Sequence, residues 1–328
     1  MLKPFIDAHV HLNTRSQAKM ELAQKYGARF LSINTDIPFF DSLEEQQQIV
    51  HDLLEKYPGS IKYFTSFDTT HWNTPEWLPH AMAQIKSGLE KGAVGVKIWK
   101  NIGMDPGVKD ADGNFVLLDD PRFDPIYQYL SDNNIMLIGH QGEPRNCWLP
   151  LEEMTVDSDR NYFSAHPEYH MHLLPEYPSY EQQMQARDNV LDKFPNLKYV
   201  GLHLFSMEWS IDQVAARLDK YPNSKTDLAE RICHVQLQAK EDPEKVRDFF
   251  IKYQDRIIYG TDVIDDGSMN EKELVERFET LWNSHWDFFA SNKTMTAPEF
   301  KGEFKGLELP EKVLHKIFYQ NAVDTYGF

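Results

Sequence analysis

Phe5-Ile-Asp-Ala-His-Val-His-Leu12 opens the chain with an apolar run that closes on two histidines. An apolar run of this length reads as a buried β-strand, and side chains two residues apart on a strand share a face. His9 and His11 therefore project together from the strand's end. Paired imidazoles are what a divalent metal takes up. The pair is half a site, and the other half must come from elsewhere in the chain.

Working outward, strand-like and helix-like segments alternate. The strand candidates are Phe5–His9, Ala28–Asn34, Ile61–Phe67, Ala93–Ile98, Ile135–His140, Lys198–His203 and Arg256–Asp262. They are short and rich in Val, Ile, Leu and Phe, as strands buried on both faces should be. Amphipathic stretches lie between them: Ser16–Lys25, Ser42–Tyr57, Thr74–Glu90, Pro121–Asn133, Ser179–Phe194, Ser210–Tyr221 and Pro243–Gln254. Several open with Ser, Thr or Pro, which are good helix starts. Repeated β-then-α implies a parallel sheet, and a closed (β/α)8 barrel requires eight strands. The missing strand is assigned near Ser224–Leu228, where Lys225-Thr-Asp-Leu228 has weak strand propensity. A long loop, Gln141–Pro178, carries five prolines and several aromatics after the fifth strand, and loops of that kind are often functional. Asp265–Gly306 reads as partly helical and Leu309–Phe328 as a closing helix. No repeat or linker divides residues 1–328, so one domain is expected.

The length of 328 residues suits one α/β barrel, and 41% hydrophobic residues fill a sizeable core. No apolar run approaches the roughly 18 residues of a membrane span. No signal peptide is visible, which gives a cytoplasmic expectation, with a trimmed leader left open. Two cysteines, Cys147 and Cys233, make neither a disulfide framework nor zinc-finger spacing. A net charge of −17 argues against nucleic acid or an anionic membrane as partner. A small molecule is the expected partner, and a homo-oligomer is left open.

Polar residues recur at the C-terminal ends of the strands, where barrel active sites lie. His9 and His11 close the first, Lys97 lies near the end of the fourth, and His140 ends the fifth. His203 ends the sixth and Asp262 the eighth. Burying four imidazoles and a carboxylate without a metal would leave large desolvation costs uncompensated.

Asp7-Ala-His-Val-His11, His140, His203, Gly260-Thr-Asp262 and the tail Leu309–Ala322 resemble the amidohydrolase superfamily. Within it they are similar to the amidohydrolase-related group that holds aminocarboxymuconate-semialdehyde decarboxylase, resorcylate decarboxylases and lactonases. The resemblance implies that His9, His11, His140 and Asp262 bind one divalent metal, zinc by preference, while His203 steers protons. Such a zinc lowers the pKa of bound water towards about 7. Asp262 is then expected to take that water's proton, and His203 to hold or polarise the substrate oxygen. In binuclear members a carboxylated lysine on the fourth strand bridges two metals. Lys97 is read either so or as a substrate contact, with one metal preferred.

Softer substrate candidates are Glu143, Arg145, Trp99, Trp148, His172 and Arg231. Glu143 would instead pair with Arg145 as scaffolding, and Asp227 with Arg231 as an i,i+4 pair. The expected function is a metal-dependent hydrolase of a small C–O or C–N substrate such as a lactone or cyclic amide. The alternatives are a non-oxidative decarboxylase of an aromatic or unsaturated acid, or a non-catalytic barrel with a vestigial site.

Overall fold

The computed structural model describes residues 4–328. Its core strands are β1 (Phe5–Leu12), β2 (Ala28–Ile33), β3 (Ile61–Phe64), β4 (Gly95–Ile98), β5 (Met136–Gly139), β6 (Tyr199–Gly201), β7 (Ser224–Asp227), β8 (Ile257–Ile258) and β9 (Val263–Asp265). All pair in parallel, in the orders β3-β2-β1-β9 and β4-β5-β6-β7-β8. Two seams join these runs into a barrel. A bridge from Thr65 to Val96 and the bond from Lys97 N–H to Thr65 O (2.7 Å) link β3 to β4. Bonds from Ala8 N–H to Tyr259 O (3.0 Å) and from Asp262 N–H to His9 O (2.7 Å) link β1 to the last strand.

That last strand is broken between β8 and β9. Asp262 adopts a positive φ of 64°, which interrupts the ladder at Gly260-Thr-Asp262. Gly260 is required there, since a Cβ would stand 2.7 Å from His9 Cβ. Asp7 holds the turn. Its carboxylate accepts from Thr261 N–H (2.9 Å), Thr261 Oγ1 (2.8 Å) and Trp282 Nε1 (2.8 Å).

The barrel's interior is a cluster of Ile6, Ala8, Leu31, Ile33, Phe64, Ile138, Val200, Leu202 and Ile258, with Ala322 and Tyr326 of the tail packed onto it. Strict alternation from Ile6 and Ala8 would turn His9 and His11 outward. The β1–β2 register slips between Asp7 and Val10, and beyond it Val10 and Leu12 join the larger cluster under the helices. A bulge of this kind re-aims side chains. It returns the two histidines to the barrel mouth.

The expected helices are present, several with side-chain caps at the foreseen residues: Ser42 over Leu43–Lys56, Ser179 over Tyr180–Lys193 and Ser210 over Ile211–Lys220. Two expectations need correction, and two elements were not foreseen. The sixth strand stops at Gly201, and His203 lies beyond it in a run of positive φ from His203 to Ser206. A helix at Ile232–Glu241 was not foreseen. The stretch Gln141–Pro178 is no open loop: it folds on a small core of Cys147, Met154, Phe163 and Met171 and includes a helix at Asp157–Ala165. Between Asp265 and Gly306 a long helix, Glu271–Ala290, is followed by an antiparallel hairpin of β10 (Thr294–Ala297) and β11 (Phe300–Lys305). The closing helix is present but carries a π-turn at Lys316–Gln320.

Candidate metal centre

His9 Nε2 and His11 Nε2 stand 3.2 and 3.3 Å from the same oxygen, Asp262 Oδ1. Neither His9 Nε2 nor Asp262 Oδ1 has a hydrogen-bond partner among the described residues, although both are buried. Leaving such atoms unpaired costs about 1–3 kcal/mol each. Two donors about 2.0–2.1 Å from a tetrahedral divalent ion are about 3.3 Å apart. The orphaned atoms and their spacing therefore fit a cation between them.

Other groups surround this triad. His9 Nδ1 bonds Asp227 Oδ2 at 2.6 Å, with both side chains buried. The His203 ring lies 4.7 Å from that of His9 and 4.2 Å from that of His140. Donor atoms of His9, His11 and Asp262 lie within 4.8 Å of one another, and so do those of His9, His203 and Asp227. His140 belongs to neither group and meets the cluster through the His203 ring.

His203 Nδ1 stands 3.0 Å from Ala229 O. A carbonyl only accepts, so Nδ1 carries the hydrogen and Nε2 is the basic nitrogen. Burial pushes the His203 pKa well below its ordinary value and keeps the ring neutral. A neutral ring in this tautomer accepts a proton at Nε2. Once it has taken up a proton there, Nε2 becomes the donor that faces the site.

Burial also opposes charge on His9, but Asp262 and Asp227 outweigh it and raise His9 to about 9. Burial would lift Asp262, yet His9 and His11 hold it well below the usual carboxylate range. Lys97 is 1% exposed, and burial depresses it to about 8 against the pull of Asp262 and Asp227. Its Nζ makes no hydrogen bond or ion pair among the described residues, so it is a buried cation free to meet a ligand.

The softer candidates separate. Glu143 pairs with Lys100 and not with Arg145. Arg145 lays its guanidinium 4.3 Å from the Trp209 ring, while its backbone N–H donates to Glu208 Oε1 (2.8 Å). Asp227 is a strand residue bound to His9, and Arg231 bonds Glu230 (2.8 Å), so the expected Asp227–Arg231 pair does not form. Arg231 is 5% exposed and its Nε is unpartnered; its charge also acts on His140 and His203, which keeps it near the site. Trp99 is half-buried under the Lys100 ammonium. Trp148 is absorbed in the folded loop, its Nε1 bonded to Pro178 O, and His172 is exposed beside His170.

Sequence reading missed three contributors. Asp227 ends β7 and obeys the same strand-end rule as the histidines, so its position was the signal. Asp7 is visible only through its bonds across the barrel. Phe40 lies 5.2 Å from the His11 ring and walls the mouth from a loop that gave no periodic signal.

The fold has clear relatives. A barrel protein of Bordetella bronchiseptica is 17% identical, with TM-score 0.53 and full coverage of both chains. A dihydroxybenzoic acid decarboxylase from Polaromonas sp. JS666, solved with manganese and an inhibitor, is 12% identical with TM-score 0.54, covering 99% of this chain and 97% of that one. A 2-pyrone-4,6-dicarboxylic acid hydrolase, so described provisionally, from Pseudomonas putida is 12% identical with TM-score 0.50, covering 100% and 98%. A search of curated proteins finds no match. At these identities the likenesses show the (β/α)8 barrel alone. The Amidohydrolase family model (Amidohydro_2) matches residues 6–328, so the chain belongs to this metal-dependent amidohydrolase family.

Proposed function

We propose that this protein is a metal-dependent hydrolase that opens a C–O or C–N bond in a small cyclic substrate of the lactone or cyclic-amide type. The observation that carries the reading is the convergence at the barrel mouth of His9 Nε2 and His11 Nε2 on Asp262 Oδ1, 3.2 and 3.3 Å away, with His9 Nε2 and Asp262 Oδ1 otherwise unpartnered among the described residues. These residues, joined by His140, would hold one ion, and their imidazole and carboxylate donors suit zinc. Such an ion, when bound, supplies Lewis acidity to polarise a carbonyl and acidify water.

The chain's own groups then have distinct tasks. Asp262 would accept the proton of the attacking water and hand it on to His203. His203 presents a basic Nε2, fixed by the Ala229 carbonyl, to receive a proton and return it to the departing oxygen or nitrogen as the ring bond breaks. The water's oxygen remains on the carbonyl carbon, and its hydrogen ends on the leaving atom, so the product is a hydroxy or amino acid. Lys97 would contact an anionic group of the substrate.

Lys97 also favours a second reading, non-oxidative decarboxylation, because a free buried cation can anchor a carboxylate. Decarboxylation needs a group that donates a proton to carbon. Asp262 or His203 would be that group in this reading, which uses the same metal-binding residues. The test is a lactone and cyclic-amide panel, run beside carbon dioxide release from resorcylate-type acids, with and without chelator. Ring opening that vanishes on chelation and returns with metal supports the hydrolase. Carbon dioxide release without ring opening would replace it with the second reading.

A further inference from the structure

We infer that Asp227 is a positioning residue for the metal centre: by accepting the Nδ1 hydrogen of His9, it fixes the tautomer that presents Nε2 to the cation. This rests on the metal-centre reading above and adds a residue to it.

The geometry is specific. Asp227 ends β7, across the barrel mouth from β1, and reaches His9 over a separation of 218 residues. The 2.6 Å contact lies in the range of charge-assisted bonds. Both groups are sealed from water, at 1% and 0% exposure, so no solvent molecule replaces the bond if it is lost. A neutral imidazole has one hydrogen, and a carboxylate acceptor places it on Nδ1. Nε2 then carries the lone pair, and Nε2 is the nitrogen that faces Asp262 Oδ1 at 3.2 Å. A carboxylate behind a ligating imidazole fixes the ring's orientation and raises its basicity. The bulge that re-aims β1 makes this support necessary, because His9 lies within the register slip between Asp7 and Val10. His11, by contrast, has no partner at Nδ1 among the described residues. The two histidines of the motif are therefore not equivalent: His9 is clamped from behind and His11 is not.

A rival role is open to the same carboxylate. Asp227 Oδ1 is unpartnered, and Asp227 lies within one donor group with His9 and His203, so Asp227 could itself be a ligand. Its Oδ2 is committed to His9, and the Nδ1–H hydrogen bond separates the two roles.

The experiment uses the full chain loaded with zinc or manganese. Affinity is read by competition with a chromophoric chelator, and the His9 Nδ1–H hydrogen bond by the downfield 1H shift of that group in 15N–1H correlation spectra of the 15N-histidine-labelled zinc form. Asp227→Ala is expected to weaken metal binding by about 10–100-fold and to remove the downfield Nδ1–H shift of His9. Asp227→Asn keeps an acceptor oxygen, so it should retain the hydrogen bond and recover part of the affinity; it also serves if the alanine variant does not fold. Unchanged affinity in Asp227→Ala overturns the inference while leaving the metal centre intact. So does lost affinity with the downfield, hydrogen-bonded Nδ1–H of His9 retained, which would mark Asp227 as a ligand and not as the acceptor. A wild-type protein that binds neither ion removes the metal-centre reading itself, and the inference with it.

Discussion

Replacing Asp7 by alanine should damage the metal centre without touching any donor atom. Asp7 is fully buried, and its carboxylate receives three bonds, from Thr261 N–H, Thr261 Oγ1 and Trp282 Nε1. The Thr261 hydroxyl can turn to another acceptor, but the backbone N–H and the indole N–H cannot. Each stranded donor costs about 1–3 kcal/mol, so the variant should lose about 2–6 kcal/mol. That is a large share of the roughly 5–15 kcal/mol that stabilises a domain. The damage falls on Gly260-Thr-Asp262, the break whose positive φ delivers the Asp262 carboxylate. Asp7→Asn keeps one acceptor oxygen but turns an NH2 toward a donor, and should lose about half as much. Denaturant unfolding gives the stability, and metal retained after dialysis gives the site. If Asp7→Ala unfolds within about 1 kcal/mol of the wild type and keeps its metal, the view of Asp7 as the anchor of that turn is wrong.

Other perturbations test neighbouring parts of the account. Gly260→Ala places a Cβ 2.7 Å from His9 Cβ, so metal affinity should fall more than unfolding free energy; equal metal retention would refute the close-packing reason for that glycine. Lys97→Met should leave the metal content of the protein unchanged and raise KM for anionic substrates; two equivalents in the wild type falling to one would instead show a lysine bridge. Packing around His285, with Arg277 adding to it, lowers that imidazole to about 3 from an ordinary 6.5. The unfolded chain then takes up a proton that the folded protein refuses, so stability is complete above pH 6.5 and declines as pH falls toward 3. His285→Gln keeps an acceptor for the Tyr259 hydroxyl and should flatten that decline, and an unaltered pH profile would count against the assignment.

The barrel was legible because buried parallel strands leave short Val/Ile/Leu runs that no neighbouring segment imitates, and helix caps such as Ser42 and Ser179 are local. Even Lys225-Thr-Asp-Leu228, poor in propensity, had to be a strand once seven others were assigned, and it is β7. The strand-end rule found His9, His11, His140, His203 and Asp262 from spacing and resemblance. It failed where tertiary contacts decide. Four-residue spacing offers Asp227 a helical pair with Arg231 as one of two readings, whereas its strand carries it to His9. Proximity in sequence offers Glu143 a pair with Arg145 beside its role as a site residue, whereas Lys100 reaches it from the adjacent strand end. The register slip in β1 leaves no sequence signal, because an apolar run has the same appearance with or without a bulge. The tautomer of His203 depends on a carbonyl 26 residues away, which no local pattern encodes.

The central claim is that His9, His11 and Asp262 form one divalent-metal site. Its most direct test is elemental analysis of the purified protein and of Asp262→Asn after dialysis against metal-free buffer. About one equivalent of divalent metal per wild-type chain is expected, consistent with a catalytic ion held by imidazoles and a carboxylate, and a marked loss in the variant. A wild-type protein without metal that cannot be reconstituted, or an Asp262→Asn variant that keeps its full equivalent, would contradict it.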